Sequence, residues 1–361
     1  MLYHLLFPLH EQFGALNVVQ YITFRTAAAS ITAFVVTLAF GPVTIRWLRA
    51  LGARQPIRDD GPATHQQKQG IPTMGGLLIL TAAFVPTLLW ADLTNVYVRI
   101  AFIATAAFGA IGLADDLLKV RVGSHRGLSA RGKLVLQGAV GAGVGVALLQ
   151  LSAAGVYSTE ILFPFFKQFT PDIGWLYVPF AMLVLVFASN AVNLTDGLDG
   201  LAISIFTVAA GAFTALTYVS GHAEIAEFLL LVRFPPAGEL TIFCGSLVGA
   251  GLGFLWYNSY PADMIMGDVG SLALGGALGT VALLIKQELL LPIVGAVFVI
   301  EAVSVILQVG SYKLTRRRIF KMAPIHHHFE QIGWSEPKII SRFLILAIVF
   351  ALFSLTTLKL R

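Results

Sequence analysis

Apolar stretches of about 20 residues recur along this chain, and they constrain it more than any other feature. A helix needs about 20 apolar residues to cross a ~30 Å hydrocarbon core, and ten segments come near that length. They lie near 24–48, 73–91, 97–114, 133–152, 174–190, 200–220, 239–257, 270–286, 290–311 and 339–358. Only 12% of the 361 residues are charged, against about 25% in soluble domains. In lipid every backbone polar group must be satisfied internally, so blocks of this kind fold as helices. The expectation is an all-α integral membrane protein of about ten transmembrane helices. No linker divides it, so 1–361 reads as a single polytopic membrane domain.

Charge placement predicts the orientation. Of 24 Lys and Arg residues, 17 fall in the connections 43–72, 115–133 and 312–342. The alternate connections 92–97, 153–173, 221–238 and 286–290 are nearly free of them. Basic loops stay cytoplasmic, so the first span runs inward and both termini are expected on the periplasmic side. Lys359 and Arg361 run against this pattern. The net charge of +5 is spent on these loops, which argues against a nucleic-acid partner. Residues 1–18 lack a basic n-region and a small-residue cleavage site, and read as a retained interfacial segment. ILFPFFKQF, within 153–173, reads as a second interfacial element. The single Cys244 lies inside a span, so no internal disulfide forms. Gly245, Gly249 and Gly253, like Gly141 and Gly145, repeat every four residues, a spacing that lets helices approach closely in lipid.

With this topology every unusual polar cluster falls in a cytoplasmic connection. FGAIGLADDLLKV ends an apolar run on Asp115 and Asp116, expected at the close of the third span. In NAVNLTDGLDGL, Asn193, Asp196 and Asp199 are spaced by three and share a face on a helical turn. Gly197 and Gly200 give the backbone room for a ligand to approach. NSYPADMIMGDVGSLALGG sets Asp268 between glycines just before a span, where a carboxylate can hold a metal that also meets a phosphate. Mg²⁺ takes one or two carboxylates plus phosphate oxygens and water. In MAPIHHHFE the three histidines are adjacent and point apart, unlike the wider spacing of zinc motifs. Contact with phosphate or sugar is the better reading. RDDGPATHQQKQGIPTMGG adds His65 and Lys68, with Gly75 and Gly76 at a helix start suited to an anion. Glu301 is an acid inside a span, and a functional and a hydrogen-bonded structural role are both open to it. Two acids at a membrane edge meet a lipid phosphate only through a cation, so Mg²⁺ and Lys119 or Lys133 are needed as partners. The arrangement suits phosphoryl transfer from a soluble donor to a lipid acceptor, which depends on positioning and charge neutralisation.

DDLLK at 115–119, NAVNLTDGLDGL at 190–201, FLWYNSYPADMIMGDVGSLALGG at 254–276, APIHHHFE at 323–330 and PTMGG at 72–76 resemble, in order, the phospho-N-acetylmuramoyl-pentapeptide transferase family. The aspartate motifs belong to the wider polyprenyl-phosphate sugar-1-phosphate transferase superfamily, and the triple histidine marks the muramoyl-peptide branch. The resemblance implies a Mg²⁺-dependent enzyme of the bacterial inner membrane, usually a homodimer. It implies transfer of phospho-MurNAc-pentapeptide from UDP-MurNAc-pentapeptide to undecaprenyl phosphate, giving lipid I and UMP in peptidoglycan biosynthesis. By motif match Asp268 is the Mg²⁺ ligand. Asp115 orients or deprotonates the lipid phosphate, with Asp116 beside it, and His326 joins them as a catalytic candidate. Lys68, Lys133, Asn193, Asp196, Asp199, Asn258, Ile265, His327 and His328 are substrate-binding candidates. Ile265 stands where the family often has Phe, whose ring can stack on uracil. The rival readings are a sibling enzyme transferring another HexNAc-1-phosphate, and a transporter, which would place acids along a midplane path or show inverted repeats.

Overall fold

The computed structural model describes residues 2–53, 70–122, 127–166, 169–229 and 234–360. All ten apolar segments form helices: α1 (Ile22–Ala50), α2 (Gly76–Trp90), α3 (Val96–Val122), α4 (Ala130–Ala153), α5 (Tyr177–Thr195), α6 (Leu201–Gly221), α7 (Ala237–Asn258), α8 (Gly267–Leu284), α9 (Ala296–Thr315) and α10 (Glu336–Leu360). Nine of these are long and apolar enough to cross a membrane; α2, with 15 residues, is shorter. Among the described residues there is no strand, only one isolated bridge between Glu160 and Asp172. The chain is a multi-pass, all-helical membrane protein.

α8 is the axis of the bundle. Its apolar stretch is 89% buried, against 28% for α1, α9 and α10, and it packs on α2, α3 and α5. Its sequence, GDVGSLALGGALGTVALL, explains why: it is apolar all round, and its glycines remove the side chains that would hold neighbours away. A Cβ at Gly275 would lie 2.5 Å from the Ala188 carbonyl oxygen of α5, and one at Gly276 would run into the Phe108 ring of α3. The Gly245–Gly249–Gly253 stripe of α7 packs on Thr26, Ser30 and Thr37 of α1, and Ser30 Oγ donates to the Gly245 carbonyl at 2.6 Å. Gly141 and Gly145 of α4 seat against Met182 and Val178 of α5. These stripes are intramolecular packing surfaces.

Two boundaries differ from those read in the sequence. α3 does not stop at 114: it continues through Asp115 and Asp116 to Val122. The apolar segment expected at 290–311 breaks at Gly295 into a short helix, Leu291–Val294, and α9. The chain at Leu289–Val299 lies beside Gly275 and Leu278, midway along α8, so it climbs back into the bundle before α9 begins. Glu301, six residues beyond that break, therefore stands near the end of the molecule where the acidic loops gather. The α4–α5 connection leaves Phe165, Phe166 and Phe169 exposed, as an interfacial element requires.

The α1–α7 contact gives a direct test. A Cβ at Gly249 would collide with the Ser30 carbonyl oxygen, which is backbone and cannot rotate away. Gly249→Ala should separate the two helices at a cost of about 1–3 kcal/mol, read as a lower melting temperature of the detergent-solubilised protein. Gly143→Ala, with nothing within 4 Å of the added carbon, should leave the melting temperature unchanged.

Candidate active site

The backbone brings the acidic motifs together. A Cβ at Gly112 would overlap the Asp268 carbonyl oxygen, and one at Gly76 would overlap the Gly270 backbone. With hydrogen in those places, α2 and α3 lie backbone to backbone against the start of α8. Asp115 and Asp116, one turn beyond Gly112, then face Asp268. One ligand oxygen from each of the three lies within 4.8 Å of the others. Asp115 and Asp116 are buried, 1% and 3% exposed.

Three carboxylates at this spacing repel, and two lysines offset the charge. Lys119, one helical turn on from the pair, places Nζ 2.6 Å from Asp115, 3.4 Å from Asp116 and 3.2 Å from Asp268. Lys133, on the first turn of α4, reaches Asp268 at 2.6 Å and Asp115 at 3.3 Å. Backbone amides complete the set: Leu128 N–H donates to Asp115 at 2.8 Å and Val269 N–H to Asp116 at 3.1 Å. From α5, Asn193 donates to the other Asp268 oxygen at 2.9 Å and to Ser271 Oγ at 2.7 Å. Asp196 lies just past the end of α5. Desolvation in the cleft, followed by the like charges of Asp268, Asp116 and Asp199, pushes it up to about 8. A divalent cation among these groups would relieve that repulsion. The donor set fits one: Asp115, Asp116 and Asp268 offer hard carboxylate oxygens close enough to share an ion.

Other residues singled out in the sequence hold the site's shape. Asp199 accepts from Ala262 N–H at 3.1 Å. Asn258 is buried, its oxygen on Gly200 N–H at 3.0 Å and its amide on the Met264 carbonyl at 2.8 Å. Ile265 is 9% exposed. Its N–H donates to the Pro72 carbonyl, and its carbonyl accepts from Gly75 N–H, both at 2.9 Å, which stitches the α7–α8 loop to the start of α2. Lys68 and His65 lie outside the described residues.

The three histidines part ways, as adjacent residues on the short helix Ile325–Gln331 must. His327 pairs with Glu330 at 2.6 Å. His328 Nδ1 accepts the Lys321 N–H at 3.2 Å. His326 is fully buried, its Nδ1 3.0 Å from Glu301 Oε2, and its Nε2 faces Gly197. The room at Gly197, read in the sequence as space for a ligand, is occupied by this imidazole. Nothing in the sequence pairs Glu301 with His326; only the break at Gly295 makes their meeting intelligible. Ser271 and Gly112 lie inside quoted motifs, but nothing in those motifs singled them out.

A polytopic helical bundle with clustered carboxylates and lysines at one end defines a membrane-embedded transferase. Residues 98–286, α3 to α8, match the family described as Glycosyl transferase family 4, and residues 68–80 match the phospho-N-acetylmuramoyl-pentapeptide-transferase signature 1. The chain is 57% identical over its whole length to the phospho-N-acetylmuramoyl-pentapeptide-transferase of Koribacter versatilis, covering 99% of that protein. It is 55% identical to that of Geobacter sp. and 57% to that of Desulfatibacillum aliphaticivorans, each covered in full. The chain belongs to the phospho-N-acetylmuramoyl-pentapeptide-transferase family.

The burial of Ile265 decides what a ring would do there. Ile265→Phe should overpack the junction of the 259–266 loop with α2, costing about 1–3 kcal/mol. The expected readout is a lower melting temperature with no gain in affinity for uridine nucleotides, measured by thermal shift and competition binding.

Proposed function

We propose that the protein transfers phospho-MurNAc-pentapeptide from UDP-MurNAc-pentapeptide to undecaprenyl phosphate, forming lipid I and releasing UMP, at the cytoplasmic face of the bacterial inner membrane. The observation that carries this reading is the junction of a charged centre with an apolar groove. The groove lies between α5, α8 and the Leu289–Val299 segment, lined by Phe180, Phe187, Val192, Leu278 and Phe298. Val192 adjoins Asn193, which holds Asp268. A polyprenyl chain in the groove would bring its phosphate to the acid–lysine cluster.

In this reading an oxygen of the lipid phosphate attacks the sugar-bearing phosphorus of the diphosphate. The new P–O bond forms as the bond to UMP breaks. A phosphate oxygen is already a usable nucleophile at neutral pH, so no phospho-enzyme is required. Asp115 orients the lipid phosphate and accepts any proton it carries. Lys119 and Lys133 neutralise charge that would otherwise keep two anions apart. Asp115, Asp116 and Asp268 are the residues that would hold Mg²⁺, with Asp268 as the principal ligand. The ion would supply charge neutralisation for the diphosphate. The unit is a homodimer, as the family resemblance implies.

Membranes containing the protein, given radiolabelled UDP-MurNAc-pentapeptide and undecaprenyl phosphate, should yield labelled lipid and UMP. Asp268→Asn keeps the shape and removes the charge. It should lower the rate at least a hundredfold, as loss of one electrostatic group does, with excess Mg²⁺ restoring it only in part. Near-normal activity and Mg²⁺ dependence in that variant would assign the metal to another carboxylate. Orientation has its own check. With Cys244 replaced, single cysteines at 127–129 or 316–324 should resist an impermeant thiol reagent added outside intact cells, while cysteines at 158–162 should react. Labelling of the first two from outside would place the site on the wrong face.

A further inference from the structure

We infer that Glu301 is a positioning residue for the reaction: its carboxylate holds His326 so that Nε2 points an N–H at an anionic oxygen of the nucleotide diphosphate, over the Asp196–Asp199 turn. This rests on the transferase reading above and on His326 being a phosphate contact. Four observations converge. Both side chains are 0% exposed. Glu301 Oε2 lies 3.0 Å from His326 Nδ1, and an ionised carboxylate can only accept, so with Glu301 ionised the Nδ1 proton lies between them. His326 Nε2 is buried and has no hydrogen-bond partner among the described residues. That nitrogen lies against Gly197, between Asp196 and Asp199, where any larger residue would displace it.

The chemistry follows from that geometry. A buried polar nitrogen left unpaired costs about 1–3 kcal/mol, so Nε2 calls for a partner that the described residues do not supply. The groups that converge on this turn serve an anionic substrate. To meet a phosphate oxygen, Nε2 must carry a proton, which makes the ring an imidazolium. A fully buried imidazolium requires a counter-charge, and Glu301 is the one carboxylate in contact with the ring through Nδ1. The pair is then neutral overall and presents one directed donor, as a histidine oriented by a second group does in many active sites. The climb of Leu289–Val299 back into the bundle brings Glu301, in the first turns of α9, to the level of the His326 loop.

Glu301→Gln separates positioning by charge from simple anchoring. The glutamine carbonyl can still accept the Nδ1–H, so an anchor would survive, but the counter-charge is gone. The purified protein, monodisperse in detergent, is compared with wild type, His326→Gln and the double variant, with labelled UDP-MurNAc-pentapeptide and undecaprenyl phosphate. The expected result is a kcat lowered roughly ten- to hundredfold, the range for losing a charge-assisted hydrogen bond. KM for the lipid acceptor and the melting temperature should stay unchanged. The double variant should be no slower than His326→Gln alone, because the two residues act as a unit. Glu301→Gln within twofold of wild type, while His326→Gln is impaired, would reduce Glu301 to an anchor and overturn the inference. So would a double variant whose losses multiply, or a Glu301→Gln protein that cannot be obtained monodisperse. A normal His326→Gln enzyme would instead remove the phosphate contact itself, and a wild type without lipid product would remove the transferase reading.

Discussion

Two carboxylates 4 Å apart repel by about 4 kcal/mol at an effective dielectric constant near 20, and this site holds three within 4.8 Å. The bundle is arranged around that problem. Lys119 comes from the same helix as Asp115 and Asp116, and Lys133 comes from the next, so α3 and α4 bring both the repulsion and its relief. Asp268 enters from α8 and is fixed by Asn193 of α5. Four helices are thereby tied at one end by charge. Below that end they are held by glycine-mediated contact, since lipid supplies no hydrophobic drive to press them together. Removing charge from either side leaves the other buried and unpaired, so the cluster constrains how the helices meet.

The same arrangement separates a transferase from a transporter. A transport path would distribute ionisable groups along the bilayer midplane. The buried ion pairs Arg25–Glu239 and Lys286–Glu288 lie outside the site. Arg25 and Glu239 sit at the starts of α1 and α7, and Lys286 and Glu288 just past the end of α8, all at the end of the bundle opposite the acids. Glu301, the acid that seemed to lie mid-span, belongs to the site through His326. The polar groups fall at two levels, with an apolar groove between, which is the layout expected of an enzyme working on the head of a lipid.

The ten helices were legible because hydropathy is a sum over some twenty residues and tolerates local errors. The aspartate motifs were legible because carboxylates at a membrane edge need a reason. Boundaries were harder. Hydropathy falls at Asp115, so the span appeared to end there, yet Lys119 at i+4 and i+3 neutralises the acids within the helix and α3 runs on to Val122. Roles within motifs were harder still. Asn258 and Asp199 carry the residue types of substrate contacts, yet they hydrogen-bond to backbone at Gly200, Met264 and Ala262. Glu301 and His326 lie 25 residues apart, one on α9 and the other on the short helix after it, and no periodicity links them.

The triple histidine therefore divides its work in a way that a motif cannot express. All three residues lie on the short Ile325–Gln331 helix. His327 and His328 bind Glu330 and the Lys321 amide, which hold this helix and its approach in register. Only His326 turns inward, onto Glu301 and toward Gly197. Two histidines shape the loop and one enters the charged turn.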